Sequence, residues 1–161
     1  MFKKIAVLGA GAIGSSVAAD IAKAGHDLTV IDQWPAHIEA MKANGLRVTV
    51  PDEDIHVKVD AVHLCDVAAL NRTFDLVLMS AKSYDAEWMA RFIAPHLAAE
   101  GVLVPVMNSM NDEWVAPIVG TARDVGCAFE LSAEVFTPGL VQRNTMRERT
   151  WFGIEIGRAH V

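Results

Sequence analysis

The chain is poor in cysteine, with only Cys65 and Cys127. The two are far apart and form no CxxC pair, so neither a disulfide framework nor a zinc site is suggested, and a reducing compartment is expected. Positive charge is also scarce: 14 Lys and Arg stand against 20 Asp and Glu, a net charge of −6 with no basic cluster. Nucleic-acid binding depends on clustered Lys and Arg meeting phosphate, so that class of partner is set aside. Nor does any stretch approach the ~18 to 20 continuous apolar residues of a membrane span. Lys3 and Lys4 precede an apolar stretch in the manner of a secretory leader. That stretch is short and glycine-rich and runs into an amphipathic segment at Ser15–Lys23, so it reads as strand and turn. Without a secretory route the Asn71-Arg72-Thr73 sequon has no path to glycosylation, and a cytoplasmic protein is expected. Internal repeats, low-complexity segments and Pro/Ser-rich linkers are absent too.

What remains is ordinary for a folded domain. With 161 residues, 52% of them hydrophobic and 21% charged, the chain is sized for one compact unit with a real core. Lys4–Leu8 is apolar and β-prone, a glycine cluster follows, and Ala-rich helical spacing then runs to Gly25 at a C-cap position. His26–Ile31 supplies a second buried strand ending at Asp32, which implies a parallel pair. Pro35 opens a helix to about Ala43, Asn44-Gly45 ends it, and Leu46–Val50 resumes strand character before the acidic turn Pro51–Asp54. A meander over Ile55–Leu64 is expected. Phe74–Met79, a continuous apolar run, reads as the fourth parallel strand, covered on both faces. Helical spacing over Asp85–Ala98, a strand at Gly101–Val106 and a helix over Asp112–Val119 continue the alternation. After Gly126 come shorter β-prone stretches, Cys127–Phe136, Leu140–Arg143 and Thr150–Ile156. The fold expected is α/β, a Rossmann-type doubly wound and mainly parallel sheet with antiparallel strands at its C-terminal edge.

The segment with chemical meaning is Gly9-Ala10-Gly11-Ala12-Ile13-Gly14. The first glycine permits a tight turn, the second lets backbone approach a pyrophosphate, and the third allows close packing of helix on strand. The helix that follows offers free N–H donors and partial positive charge to an anion. A glycine pattern alone is weak. Here it follows a strand, opens a helix, and is followed 18 residues after Gly14 by Asp32 at the end of the next strand. That is the full context of a dinucleotide site, with the backbone of Ala10, Ala12 and Ile13 in the same turn. Asp32 accepts from an adenine-ribose 2′-hydroxyl and repels a 2′-phosphate, and Gln33-Trp34-Pro35-Ala36 offers no cation, so NAD is favoured over NADP. The other reading of Asp32 is a cap on the Pro35 helix.

The order and spacing of several segments resemble the ketopantoate reductase (2-dehydropantoate 2-reductase) family. They are Ile5–Gly14 with Ala24–Asp27, Ala43–Val48, Ala81-Lys82-Ser83-Tyr84-Asp85, Val106–Asn111 and Pro138–Val141. The resemblance implies reduction of a small 2-keto acid with NADPH, ketopantoate to pantoate, in pantothenate and coenzyme A synthesis. It places Ala81 and Lys82 after the fourth parallel strand, and Asn108 after the fifth, against cofactor and substrate. Residue by residue the chain departs from the family where Asn-Gly-Met appears as Asn108-Ser109-Met110, and where Asp32-Gln33-Trp34 replaces an expected basic residue. The family's helical C-terminal domain, which carries its catalytic lysine, would begin past Val161, so residues 1–161 are expected to form the NAD(P)-binding domain, inactive by itself. No residue of this chain is assigned as the proton donor, and no metal site is expected.

Other residues have plainer readings. His63 and Cys65 are read as core packing, as are Trp88, Met89 and Phe92 by their helical spacing. Trp34 is placed either against adenine or on the surface, and Pro51–Asp54 as a solvated turn. An apolar face left open by a missing domain implies a homo-oligomer. Two rival functions stay open: a non-catalytic NAD-sensing module of the kind attached to transporters, and a paralogous NAD-dependent 2-hydroxy acid dehydrogenase.

Overall fold

The computed structural model describes residues 3–154. Five strands form a parallel sheet: β1 (Ile5–Leu8), β2 (Leu28–Asp32), β5 (Asp60–His63), β6 (Phe74–Met79) and β7 (Leu97–Pro105), ordered β5-β2-β1-β6-β7. Two further strands, β3 (Leu46–Val50) and β4 (Glu53–Val57), lie between β2 and β5 in sequence and leave this sheet for another. β1 sits at the centre, and all four of its residues are buried. They alternate between two cores. Ala6 and Leu8 face one that contains Met79, Met89, Ile93 and Val115, while Ile5 and Val7 face one that contains Ala18, Ile38, Met41 and Val141. A strand covered on both sides has no polar face to show, which is why these segments read as unbroken apolar runs.

Four helices cover the sheet: α1 (Ala12–Lys23), α2 (Pro35–Asn44), α3 (Ala86–Ile93) and α4 (Asp112–Val119). Gly14 through Ala19 are all buried in α1. Six consecutive buried residues pass right round a helix, so α1 is not the one-faced amphipathic helix expected from Ser15–Lys23. It contacts β1 and β2 on one side and β3, β4 and two later strands on the other. Its run of Gly, Ser and Ala lets two layers approach it.

Those later strands are β9 (Ala133–Thr137) and β10 (Leu140–Arg143), which complete a second sheet ordered β4-β3-β10-β9. β3 therefore belongs to the second sheet, and the third parallel strand is β5, within the stretch expected to meander. The burial of β3 alternates, with Arg47 exposed between buried Leu46 and Val48, so only one of its faces is covered. Arg143, 2% exposed, ties this sheet to α1 through Asp20 at 2.8 Å and to Thr150 Oγ1 at 2.8 Å.

The antiparallel strands expected at the C-terminal edge are present. β8 (Cys127–Glu130) pairs with β11 (Trp151–Ile154), and bridges from Leu103 to Asp124 and Val106 to Cys127 carry this ribbon on from β7. The stretch expected as one strand from Cys127 to Phe136 breaks after Glu130, and β8 and β9 join different sheets. Residues 155 and 156 of the expected last strand lie outside the described residues. The helix expected to reach Ala98 ends at Ile93, because Pro95 has no N–H for the next turn. Pro51-Asp52 is a turn, but Glu53 and Asp54 belong to β4 and pair with Lys23 and Arg147, and with Arg47, so they are not merely solvated. Among the described residues no helix is long and apolar enough to cross a membrane.

Candidate functional site

Open parallel sheets bind ligands beyond the carboxyl ends of their strands, where the connections diverge. The ends of β1, β2, β6 and β7 bring Gly11, Asp32, Lys82 and Asn108 to one such edge. The glycines at its centre have separate causes. Gly9 has φ +90°, and a Cβ there would stand 2.0 Å from the Ser80 carbonyl oxygen. A Cβ on Gly14 would stand 1.9 Å from the Gly9 carbonyl oxygen. These two are required by the fold. A Cβ on Gly11 meets nothing within 4 Å, so its missing side chain leaves room for something other than protein.

Gly11 is also the N-cap of α1, which has neither a side-chain cap nor an acidic residue in its first turn. The donors at that end are left for an anion. The residues present therefore fit a pyrophosphate: an uncapped helix start, and open space where one more carbon would intrude.

A cleft runs both ways from this point. One half is lined by Gly9, Gly11, Asp32, Gln33, Leu64 and Trp88, and the other, about 540 Å³, by Ile13, Val106, Met107, Asn108, Phe129 and Ala133. Gly11, Ser80, Ala81 and Lys82 line both, so the halves are continuous. Ala12 and Ile13 face the second half, as Asn108 does. Ala10 and Gly14 line neither half; Ala10 is buried in the core and Gly14 packs against Gly9.

Asp32 serves the turn as well as the cleft. Its Oδ2 accepts from the Ala10 N–H at 2.5 Å and its Oδ1 from the Trp34 N–H at 2.7 Å. It does not cap α2, whose N-cap is Trp34 with no side-chain cap bond. Of the two readings from sequence, the cleft-facing acid is the one the geometry matches. Each carboxylate oxygen retains a lone pair for a hydroxyl donor. Trp34 stacks on His37 with centroids 5.1 Å apart.

Asn108 is held by the backbone of Phe129: its Nδ2 donates to the Phe129 carbonyl at 2.8 Å, and the Phe129 N–H donates to its Oδ1 at 2.9 Å. The amide thus imitates one more residue of a strand pair and sets Phe129 in the cleft wall. Exposed Lys82 precedes the short turn Ser83–Asp85 that leads into α3.

Several lining residues lay outside the sequence reading. Trp88, expected to pack on the sheet, is 38% exposed and lines the cleft, its Nε1 donating to Asp85 at 2.7 Å. Its helical spacing with Met89 and Phe92 concealed that it stands at the helix start, beyond the sheet. His63 and Cys65 do not pack the core: His63 ends β5 and bonds Glu39 at 2.5 Å, and Cys65 is exposed. Phe129 carried no local signal, because only its contact with Asn108 brings it to the site.

A family model described as ketopantoate reductase PanE/ApbA matches residues 5–155. The 2-dehydropantoate 2-reductase of Pyrococcus abyssi (strain GE5 / Orsay) is 30% identical over 140 residues, covering 86% of this chain and 44% of that protein. The crystal structure of a PanE/ApbA family ketopantoate reductase from Ralstonia eutropha JMP134 superposes with a TM-score of 0.80 at 30% identity, covering 88% of this chain and 46% of the other. The Trk system potassium uptake protein TrkA of Mycobacterium tuberculosis (strain CDC 1551 / Oshkosh) is 27% identical over 112 residues, 70% of this chain and 48% of that protein. The chain spans less than half the length of each. With nearly all of its length matched by the family model and the glycine turn, strand order and cleft in place, the chain belongs to the ketopantoate reductase PanE/ApbA family.

Proposed function

We propose that these residues form the dinucleotide-binding part of a cytoplasmic, NAD(P)H-dependent reductase of small 2-keto acids, converting ketopantoate to pantoate for pantothenate and coenzyme A synthesis. The observation that carries this reading is the continuous cleft from Asp32 over Gly11 to Lys82 and Asn108, in a chain of this family. When bound, the reduced nicotinamide supplies the hydride. Gly11, Ala12 and Ile13 receive the pyrophosphate at the start of α1, and Asp32 receives the adenine ribose, which favours NAD. Ala81 and Lys82 line the middle, where the lysine orients a substrate carboxylate or the nicotinamide carboxamide. Asn108 and Phe129 wall the far half. Because the chain spans less than half of its relatives, we propose that it binds dinucleotide without appreciable turnover, the proton donor lying in the remainder of a longer protein.

The likeness to a potassium-uptake protein favours one second reading, a dinucleotide sensor without chemistry. The two differ at the far half of the cleft. A reductase needs Lys82 and Asn108 grouped there, and a sensor does not. NADH and NADPH oxidation by the full-length gene product, followed at 340 nm against a panel of 2-keto acids, separates them. Turnover with ketopantoate or a close analogue is expected. Binding with no oxidation of either cofactor by any 2-keto acid selects the sensor.

The glycines give a sharper test of the cofactor turn. Gly11→Ala is expected to change stability by less than about 1 kcal/mol while weakening NADH by about tenfold, equivalent to ~1.4 kcal/mol. Gly9→Ala is expected to cost about 3 kcal/mol or more, from strain and overpacking. Urea denaturation and fluorescence titration report the two quantities, and equal NADH affinity in wild type and Gly11→Ala overturns the placement of the pyrophosphate. For the ribose, Asp32→Arg is expected to move the NADPH:NADH affinity ratio by about tenfold toward NADPH. An unchanged ratio removes Asp32 from the ribose site. Self-association is proposed through the outer ribbon, where Trp151 is 51%, Phe152 38% and Ile154 52% exposed. Sedimentation velocity of the 161-residue chain is expected to show a concentration-dependent dimer, and a monomer at every concentration counts against it.

A further inference from the structure

Behind the glycine turn runs a buried polar chain that lines neither half of the cleft. His37 on α2 and Ser15 on α1 are both fully buried. His37 Nδ1 accepts from the Gly139 N–H at 2.9 Å, across 102 residues of sequence, and His37 Nε2 lies 3.2 Å from Ser15 Oγ. Ser15 Oγ donates to the Ala10 carbonyl at 2.7 Å.

The direction of these bonds follows from the two ends. A backbone N–H only donates, so Nδ1 carries no proton, and the neutral ring holds its proton on Nε2. Nε2–H then donates to Ser15 Oγ, whose own proton goes to Ala10. The chain reads Gly139 N–H, His37, Ser15, Ala10 carbonyl, and each member is satisfied. Buried chains of this kind hold one geometry because any broken link leaves a polar group unpaired.

The far end of this chain is a peptide of the cofactor turn. In a trans peptide the carbonyl and the following N–H lie in one plane and point opposite ways. Drawing the Ala10 carbonyl inward onto Ser15 therefore turns the Gly11 N–H outward, on the side where Gly11 lines the cleft. Asp32 holds the other side of Ala10 through its N–H.

We propose that His37 and Ser15 are positioning residues for the dinucleotide, fixing the Ala10–Gly11 peptide so that its N–H faces the pyrophosphate, and that the β9–β10 turn at Gly139 is part of the cofactor site through them. The proposal rests on the dinucleotide reading given above and adds to it a buried support from the second sheet. His37 makes that support sensitive to acid. A protonated ring presents Nδ1–H to the Gly139 N–H, donor against donor, and the chain breaks. Burial holds the His37 pKa below its ordinary value, while the charge of Asp32 and the Ala10 carbonyl act the other way. Around the ring stand Asp32 at the end of β2, the uncharged Ser15 of α1, the stacked Trp34 ahead of α2, and the Gly139 backbone. A depressed pKa contributes stability that is complete above the ordinary value and is lost as pH falls below it, toward the depressed one. Cofactor affinity follows in the same direction.

NADH titrations of the 161-residue chain between about pH 5 and 8 test this, on wild type, Ser15→Ala and His37→Gln. Wild type is expected to bind at neutral pH and weaken by about tenfold on acidification. Ser15→Ala is expected to be about tenfold weaker at neutral pH, with the circular dichroism of the folded chain retained. The His37→Gln amide offers one acceptor and one donor and does not titrate, so binding within about twofold of wild type and without the acid loss is expected. The Gly11 amide resonance of the ligand-free chain supplies a second readout, moving with pH in wild type and not in His37→Gln. Neutral-pH affinity unchanged by Ser15→Ala, or the same acid loss in His37→Gln as in wild type, overturns the proposal. A wild-type chain that binds neither NADH nor NADPH at any pH overturns the dinucleotide reading, and this proposal with it.

Discussion

Three backbones meet at the Gly9–Gly14 turn, closer than any side chain allows. Hypothetical Cβ atoms on Gly9 and Gly14 would stand 2.0 Å from the Ser80 carbonyl and 1.9 Å from the Gly9 carbonyl. This approach locks the end of β1, the first turn of α1 and the end of β6 into one junction. The Gly9 N–H bonds the Ile31 carbonyl and the Ser80 N–H the Leu8 carbonyl, so β2 is drawn into the same knot. The start of α1 is thereby aimed at the cleft with its donors free, and Asp32 and Lys82 are set on either side. The packing requirement of the fold and the binding requirement of an anion are met by different glycines in the same six residues.

Because that junction admits only small residues, α1 begins with Gly, Ser and Ala and stays narrow enough to lie between two sheets. The second sheet is therefore near enough to reach the cofactor turn. It does so through Gly139 and His37 behind the turn, and through Arg143 and Asp20 further along α1. On the opposite side Asn108 takes the place of a backbone residue and docks the β8 strand, bringing Phe129 into the cleft. The site is built from the parallel sheet, but its walls and its rear support come from chain segments added after it.

Local causes made much of this legible in the sequence. The glycine turn, the acid at the end of β2 and the helix opening at Pro35 each depend on neighbours within a few residues, and each stands where the sequence places it. The strand at Leu46–Val50 was legible as a strand but not as a member of the second sheet. Its one-sided burial depends on β4 and β10, and the latter lies some ninety residues away. The roles of His37 and Phe129 were illegible for the same reason. A buried histidine on a helix and a phenylalanine on a strand read as core, and only contacts across 102 and 21 residues give them other work. Trp88 was misplaced by a correct helical period, because periodicity says which residues share a face and not how far the facing sheet extends.

Asp32 shows why cofactor choice and fold are hard to separate in such a site. Its carboxylate accepts two backbone N–H groups, one from the glycine turn and one from the entry to α2, before any ribose arrives. Both bonds favour the ionised form, so the negative charge that disfavours a 2′-phosphate is itself held in place by the turn that receives the pyrophosphate. A basic residue here would lose both bonds and release the Ala10 N–H, while the Ala10 carbonyl stays fixed by Ser15 and His37. Gripped from both sides, the Ala10 peptide can lose the Asp32 side and keep its direction. A change of nucleotide preference at Asp32 is therefore compatible with an intact turn as long as the buried chain behind it remains.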